Sequence, residues 1–405
     1  MKPKLSILFL AIILVSCNNH KARNQDDAVF NVSFDNCKTT VGLKLSDIVD
    51  SYKFVKLETT PESLIGVNPR IILAQDNIIV IDMNGVYKFA TDGRFVRKII
   101  KFGRGPEEIS IAINYSYYEK RNLLLIEDNI RNKDILQIYD IESEKFLDPI
   151  KKYSPGRWGG FLVYNDSLIM GSMNPVIVDT NRYALFIQNS KGKILSGITN
   201  SRKVLDARLN KETVQRLLFC QGENDIFSFY VYDDTLFRYT PKGLLPYLII
   251  SYNSPRNYMR TMGFKIGESR VGFPSVDNSS FILFNESTYT GESQEGSMVK
   301  FNYDRNYYFL NKTDKSFSKI KSYTDDISGK IQECNGEMLN FPVLTLGNSL
   351  YVLYYPNDLI NSNFKENASL SPDVSDQLQK IKEGLDVMDN PILLIGSIKK
   401  SIKID

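Results

Sequence analysis

The one histidine of the 405-residue chain is His20, and it lies in a polar stretch, Asn18 to Asp27, that shows no hydrophobic periodicity and reads as a flexible segment. A domain folded from the residues after it therefore has no Ser-His-Asp triad, no Cys-His pair and no histidine-ligated zinc or iron site. That excludes most hydrolase and metalloenzyme designs. Carboxylates can work without histidine, as in glycosidases, and adjacent pairs stand at Glu107-Glu108, Glu127-Asp128 and Asp233-Asp234. Neighbouring residues of a strand point to opposite faces, so each pair is expected to be two solvated loop charges rather than an acid-base couple. The sequence holds no Asp-x-Asp-x-Asp-Gly loop. No cofactor is expected, and calcium held by loop carboxylates is the one ion the composition leaves open.

Two segments suit binding rather than turnover. Ser154-Pro155-Gly156-Arg157-Trp158-Gly159-Gly160 contains the only tryptophan, flanked by glycines that would leave its ring accessible. A Trp beside an Arg suits stacking on a sugar ring while the guanidinium donates to hydroxyls or carboxylates; the alternative is that Trp158 packs between structural repeats. Arg256, Tyr258, Arg260, Lys265 and Arg270 make a locally basic segment with an interleaved aromatic, which fits an anionic ligand or, equally, a solvated positive loop.

These segments must be held by strands. With 42% hydrophobic residues and 23 each of Tyr and Phe, the composition favours strands over helices. A unit of apolar strands separated by Asn- or Asp-rich turns recurs along the chain. Its clearest copy spans residues 71 to 109, with Ile71-Ile72-Leu73-Ala74, Ile78-Ile79-Val80-Ile81, Val86-Tyr87-Lys88-Phe89 and, after the turn Thr91-Asp92-Gly93, Phe95-Val96-Arg97-Lys98-Ile99. Later copies have Leu123 to Ile126 with Leu136 to Tyr139, Leu168 to Met170 with Ala184 to Ile187, and Asp225 to Phe229 with Leu236 to Tyr239. In the fifth, Met298 to Phe301 and Tyr307 to Leu310 read as separate strands. Outer turns at Gly93, Glu144, Gly192, Gly243 and Asp314 return at a period of about 50 residues, with one longer interval, close to that of propeller blades. A sixth unit uses Val343 to Leu346, Leu350 to Tyr354 and Ile392 to Gly396, and Tyr52 to Leu57 can complete it from the N-terminal side, closing the ring without an exposed sheet edge. A large β-sandwich or two unrelated β domains is the competing architecture. One helix is expected from Ser371-Pro372-Asp373, with Val374, Leu378, Ile381 and Leu385 on one face, and a shorter helical piece from Lys211 to Leu218.

The expected fold is thus all-β, a six-bladed β-propeller of four-stranded antiparallel blades with one short C-terminal helix inserted before the closing strand. Loops from second to third strand, and from each blade to the next, gather on one funnel face. They comprise Gly103 to Glu108, Glu127 to Asp134, Tyr153 to Gly160, Asn253 to Gly272 and Tyr303 to Tyr307. The candidate ligand contacts there are Arg104, Glu107, Arg157, Trp158, Arg256, Tyr258 and Arg260.

At the N-terminus, Lys2 and Lys4 precede an apolar run from Leu5 to Val15 that is short of the ~20 residues a spanning helix needs. Leu14-Val15-Ser16-Cys17 resembles the lipobox of bacterial lipoproteins, which implies a cleaved signal (1–16), diacylglycerol on Cys17, a tether (17–28) and a folded domain (29–405). The resemblance, with Asn18 after the cysteine, implies the outer membrane, on either its periplasmic or its cell-surface face. Loss of Lys2 and Lys4 lowers the formal charge from +3 to +1, so no global field points to nucleic acid. Cys37, Cys220 and Cys334 remain, enough for at most one disulfide within the chain or for three free thiols.

The chain also resembles the six-bladed β-propeller lipoproteins of anaerobic gut bacteria, themselves similar to NHL-repeat propellers. The resemblance rests on Tyr52 to Leu57 with Glu58-Thr59-Thr60, on Asp92-Gly93-Arg94-Phe95, on Gly103-Arg104-Gly105-Pro106-Glu107-Glu108-Ile109 and on Asp389-Asn390-Pro391-Ile392-Leu393. Where that family has Gly-x-Gly-Pro-Gly-Glu-aromatic, Glu107 and Ile109 here replace the second glycine and the aromatic. Fold alone assigns no function. The expected function is a membrane-tethered, monomeric, non-catalytic protein that binds a glycan, peptide or partner protein at the funnel. A carbohydrate-active lyase or hydrolase working with Arg, Tyr and carboxylates is the alternative, and a structural part in an outer-membrane complex a third.

Overall fold

Runs such as Ile78-Ile79-Val80-Ile81 do not alternate apolar with polar, which is the pattern of a strand covered on both faces, and all four are buried. The computed structural model describes residues 29–103, 105, 108–110, 112–128, 134–153, 158–173, 183–199, 218–221, 226–229, 235–240, 243–253, 266–267, 270–295, 298–328, 330–333, 343–344, 349–361, 372–402 and 404. They form six sheets. The chain begins with β1 (Phe30–Ser33), β2 (Thr40–Lys44), the single turn α1 (Leu45–Ile48) and β3 (Val49–Lys56). Blade 1 is β4 (Arg70–Leu73), β5 (Asn77–Ile81), β6 (Gly85–Ala90) and β7 (Phe95–Lys101). Blade 2 is β8 (Ala112–Tyr118), β9 (Leu123–Asp128), β10 (Ile135–Asp140) and β11 (Lys145–Lys151). Blade 3 contains β12 (Trp158–Asn165), β13 (Leu168–Met173), β14 (Tyr183–Asn189) and β15 (Ile194–Thr199). In blade 4 the strands are β16 (Leu218–Gln221), β17 (Ile226–Phe229), β18 (Thr235–Thr240) and β19 (Gly243–Ser251). Blade 5 has β20 (Arg270–Asp277), β21 (Phe281–Glu295), β22 (Met298–Asn311) and β23 (Phe317–Asp325), with β24 (Lys330–Glu333) beside β23. Blade 6 takes β25 (Val343–Leu344), β26 (Ser349–Tyr354) and β27 (Ile392–Ile398), and β3 is its fourth strand.

The core lies between blades. On β5, Ile78 and Val80 face blade 6 and meet Tyr351 and Leu393, while Ile79 and Ile81 face blade 2 and meet Leu124 and Ile126. The next blade repeats the arrangement, with Leu123 and Leu125 turned toward Trp158, Phe161 and Ile169 of blade 3. Every blade is thus the filling between two others, which explains the unbroken apolar runs. Each buried Ile or Leu contributes roughly 1.5–3 kcal/mol relative to exposure.

Ring closure follows the expected scheme: β3 pairs antiparallel with β27, Lys56 opposite Ile392 and Ser51 opposite Ser397. What precedes β3 is a belt. Strand β1 lies parallel along β19, Phe30 opposite Leu248, and β2 lies parallel along β23, Thr40 opposite Lys319. The N-terminal segment therefore runs round the rim of blades 4, 5 and 6 in succession, covering two outer strands whose backbone groups would otherwise offer an edge for aggregation.

Two expectations change. Met298–Phe301 and Tyr307–Leu310 belong to one strand, β22, in a hairpin that runs without a break from Phe281 opposite Asn311 to Glu295 opposite Met298 apart from one bulge at Thr290. Tyr303 to Tyr307 is therefore strand and not a funnel loop. The expected helix is present as α3 (Pro372–Glu383), following the short α2 (Pro356–Ile360), and it buries Val374 and Leu378 between blades 5 and 6. The helical piece expected at Lys211 to Leu218 lies outside the described residues except for Leu218, which begins β16.

Gly93 has φ +93°, and a Cβ there would stand 2.1 Å from the Lys56 carbonyl oxygen. Only glycine fits both the conformation and the space.

Candidate functional site

Strand direction alternates within a blade, so second-to-third-strand connections and blade-to-blade crossings emerge on the same face. Three carboxylates on or just after second strands organise that face, one at each of three blade junctions, with Glu127 and Asp82 at strand ends and Glu286 within the long β21. At the junction of blades 2 and 3, Glu127 near the end of β9 is fully buried. Its Oε1 accepts from Lys152 Nζ at 2.6 Å and from the Trp158 backbone N–H at 2.9 Å, and its Oε2 from Asn114 Nδ2 at 2.6 Å. Asn114 Nδ2 also donates to the Trp158 carbonyl at 3.0 Å. Lys152 lies 5.1 Å from the centre of the Trp158 ring, a cation-π contact. Burial pushes the Lys152 pKa below its ordinary value, and Glu127 opposes that shift.

At the junction of blades 4 and 5, Arg270 opens β20 and is gripped by two acids. Its Nη1 donates to Asp35 Oδ1 at 2.6 Å and its Nε to Glu286 Oε1 at 2.9 Å, with Nη2 also on Glu286 Oε1. Tyr308 Oη donates to the other Glu286 oxygen at 3.0 Å. Burial works against the charge of Arg270, but the hydrogen bonds and charges of Asp35 and Glu286 outweigh it and hold the guanidinium pKa up. Burial also opposes ionisation of Asp35, yet the Asn253 N–H and Arg270 together bring its carboxyl below the usual range. Asp35 follows β1, so the belt reaches from the rim into the base of the funnel.

The third junction, between blades 6 and 1, is built on Asp82 and Asn390. Asp82 accepts from the N–H groups of Gly66 at 2.8 Å, Asn84 at 2.7 Å and Gly85 at 3.1 Å. Asn390 accepts from the Ile65 N–H at 2.9 Å and donates to the carbonyls of Glu58 and Ser63, each at 2.8 Å. Burial first, then the Asp82 charge, push the Tyr87 phenol up to about 12.

Each carboxylate thus accepts donors from two or more chain segments, and the outcome is mechanical: the bases of the funnel loops are clamped together. Buried charges persist only when satisfied in this way. Among the described residues no group of three or more His, Cys, Asp or Glu side chains converges to hold a metal ion.

Two sequence readings are corrected here. Trp158 is fully buried, not accessible: its ring packs edge-on against Phe186 at 5.0 Å and Phe161 at 6.1 Å. The glycine that matters is Gly171 on β13, where a Cβ would meet Phe186 at 2.5 Å and Trp158 at 3.0 Å, so glycine makes room for the indole instead of exposing it. Glu127 and Asp128 are both buried rather than solvated loop charges, because β9 is covered on both sides and Lys152 returns beneath it. Glu108, of the Glu107-Glu108 pair, is half-buried and accepts from the Gly105 N–H at 2.6 Å. Arg104, Glu107, Arg157, Arg256, Tyr258, Arg260, Asp233, Asp234 and Cys17 lie outside the described residues, as do the side chains of Cys220 and Cys334. Cys37 is a free, half-buried thiol. The clamp residues Asp82, Lys152, Asp35 and Glu286 were not singled out from the sequence. A carboxylate directly ending an apolar second strand, as in Ile81-Asp82 and Ile126-Glu127, is the signal that could have found two of the three acids.

The fold is shared with a candidate exported protein from Bacteroides fragilis, 14% identical, at a TM-score of 0.62 covering 89% of this chain and all of that one. A member of another domain family from Bacteroides vulgatus, DUF4221, is 10% identical over 88% of this chain and 98% of its own, with a TM-score of 0.45. No curated protein matches in sequence, and no helix among the described residues is long and apolar enough to cross a membrane. One family accounts for residues 28–397, nearly the whole propeller. The chain belongs to that family, the domain of unknown function DUF4934.

Proposed function

We propose that this protein is a membrane-tethered binding protein that displays ligand-contacting loops on the funnel face and performs no chemistry. The observation that carries the reading is the clamp at Glu127. One buried carboxylate fixes Lys152 and Trp158, the two residues flanking the 153–157 loop, and it stands at the foot of the 129–133 loop. Loops mounted on a rigid, fully satisfied base are the arrangement of a recognition surface. The lipobox-like Leu14-Val15-Ser16-Cys17 supports a lipid anchor on the outer membrane, and the likeness to a candidate exported protein supports export. Since Trp158 belongs to the base, recognition falls to Arg104, Glu107, Arg157, Arg256, Tyr258 and Arg260, a basic set suited to an acidic glycan or to a peptide or partner protein bearing carboxylates.

The test is a thermal-shift screen of the detergent-solubilised full chain against neutral glycans, acidic glycans, acidic peptides and calcium, repeated with Arg157→Ala and Arg260→Ala. A ligand that binds only the folded state raises the melting temperature with concentration. Shifts produced by an acidic ligand and lost in either Arg variant support the reading. Equal shifts in native and variant chains would place binding elsewhere.

A further inference from the structure

Two arginines each open the innermost strand of a blade, Arg270 on β20 and Arg70 on β4, and their surroundings differ. Arg270 is spent on Asp35 and Glu286. Glu286 stands on the second strand of blade 5 opposite Gly272, and the corresponding residue of blade 1, opposite Ile72, is the apolar Ile79. Arg70 is exposed, and among the described residues it makes no hydrogen bond or ion pair. The acids closing the second strands of blades 1 and 2 are engaged elsewhere. Asp82 accepts from three backbone N–H groups, and Asp128 accepts from the Ser110 N–H at 3.4 Å.

Arg70 shares with Ile72 and Ala74 the face of β4 that is turned toward blade 2, and Tyr115 on β8 meets that face across the junction. The Arg70 charge acts on the Tyr115 phenol and on that of Tyr351 from blade 6, but burial is the larger effect and pushes both upward. Tyr115 therefore keeps its proton at neutral pH and can donate it. The Tyr351 hydroxyl is taken up by the Ile71 backbone, whereas that of Tyr115 has no hydrogen-bond partner among the described residues. Asn68, at φ +53°, donates its N–H to Tyr355 Oη at 3.3 Å and so ties the chain leading into Arg70 to blade 6. Two unspent donors thus stand on innermost strands at one blade junction: an exposed guanidinium at the funnel end of the central channel and a half-buried phenol beside it.

We propose that Arg70 and Tyr115 bind an acidic sugar at the funnel mouth of the central channel, Arg70 taking both oxygens of the sugar carboxylate and Tyr115 donating to a ring hydroxyl. The planar guanidinium fork matches a carboxylate in geometry, and its single positive charge matches the single negative one. A phosphate dianion would leave charge uncompensated. The phenol favours a sugar over an acidic peptide, because it offers a donor to a hydroxyl and an aromatic surface to the apolar side of a pyranose ring, while a peptide carboxylate would use the guanidinium alone. The site rests on the binding reading above and adds to it a ligand class and the place where the ligand charge is held, at the channel wall of blades 1 and 2 rather than at the loop tips.

The experiment titrates the detergent-solubilised full chain by calorimetry with trigalacturonate, with its methyl ester and with hexaglutamate. The variants are Arg70→Gln, Tyr115→Phe, which removes only the hydroxyl, and Arg94→Gln on an outer turn as a control, each checked for an unchanged melting temperature. The expected result is binding of trigalacturonate and not of its ester, weakened about tenfold or more in Arg70→Gln and roughly fivefold in Tyr115→Phe, and unchanged in Arg94→Gln. Trigalacturonate affinity unaltered in either Arg70→Gln or Tyr115→Phe would overturn the proposal. If Arg157→Ala or Arg260→Ala abolishes binding while Arg70→Gln does not, the wider binding reading stands and this site alone falls. Hexaglutamate bound in place of trigalacturonate, and lost in Arg70→Gln, would overturn it in favour of an acidic peptide. A native chain that binds neither probe would overturn it as well, and the thermal-shift screen then decides the wider reading by itself.

Discussion

Lys152 donates to Glu127 at 2.6 Å with neither side chain exposed to solvent, tying the residue after β11 to β9 within blade 2, where Glu127 also accepts from the Trp158 N–H that opens blade 3. Removing one partner leaves the other charge buried and uncompensated, at a cost of about 3–5 kcal/mol, whereas replacing both by apolar groups of similar volume is near neutral. Glu127→Ala should therefore lower urea-unfolding stability by about that amount, and the double variant Glu127→Leu/Lys152→Met should recover the part due to the unpaired Lys152 charge but not the part due to the Trp158 N–H and Asn114 amide, which lose their acceptor in both. A double variant no more stable than the single one would show that the pair is not the clamp.

Trp158 gives a direct optical readout, since it is the only tryptophan. In the folded chain its emission should be blue-shifted and insensitive to acrylamide, and both properties should vanish on unfolding. Trp158→Ala should cost about 3–5 kcal/mol through the cavity it leaves beside Phe161 and Phe186. Quenching of the native protein by acrylamide at the rate of free indole would contradict the burial.

The belt makes a separate prediction. Phe34 is buried among Tyr252, Phe284, Tyr308 and Phe317, with ring centroids 4.5 to 5.9 Å away. Phe34→Ala should destabilise the protein by about 3–5 kcal/mol and, by loosening β1, uncover the outer edge of β19, so the variant should aggregate at lower temperature in light scattering.

Asp35 couples that belt to pH. Its carboxyl is held below the ordinary 3.8 of the unfolded chain, where the Asn253 N–H and Arg270 outweigh the opposing effect of burial. A group with a depressed folded pKa contributes stability that is complete above the unfolded value and is lost as pH falls through the lower folded value. The melting temperature of the native protein should accordingly drop as pH falls below about 4, and Asp35→Asn should flatten part of that drop. An unchanged acid profile in the variant would remove Asp35 from the account.

The blades were legible in sequence because their middle strands are buried on both faces: Ile78 to Ile81 and Leu123 to Ile126 can be little else. β1 and β2 were not, because each is a strand of four or five residues with a single fully buried side chain, paired in parallel with partners some 220 and 280 residues away. No local pattern encodes such a pairing. Trp158 was misplaced for a related reason: glycines beside it suggested access, while Gly171 on β13, whose missing Cβ leaves room for the indole, decided its burial. The clamp acids were hard to see because a carboxylate closing a strand looks like a solvated turn until its distant partner is known, as Lys152 is for Glu127.

The central claim is binding without turnover at the funnel face, and native mass spectrometry tests it most directly. The full chain, released from detergent in the presence of the acidic ligand that gives the largest thermal shift, is incubated and weighed. The account predicts a complex whose bound ligand keeps its mass over hours and whose yield falls in Arg157→Ala and Arg260→Ala. Cleaved or eliminated ligand products in the spectrum would contradict it and restore the lyase or hydrolase reading.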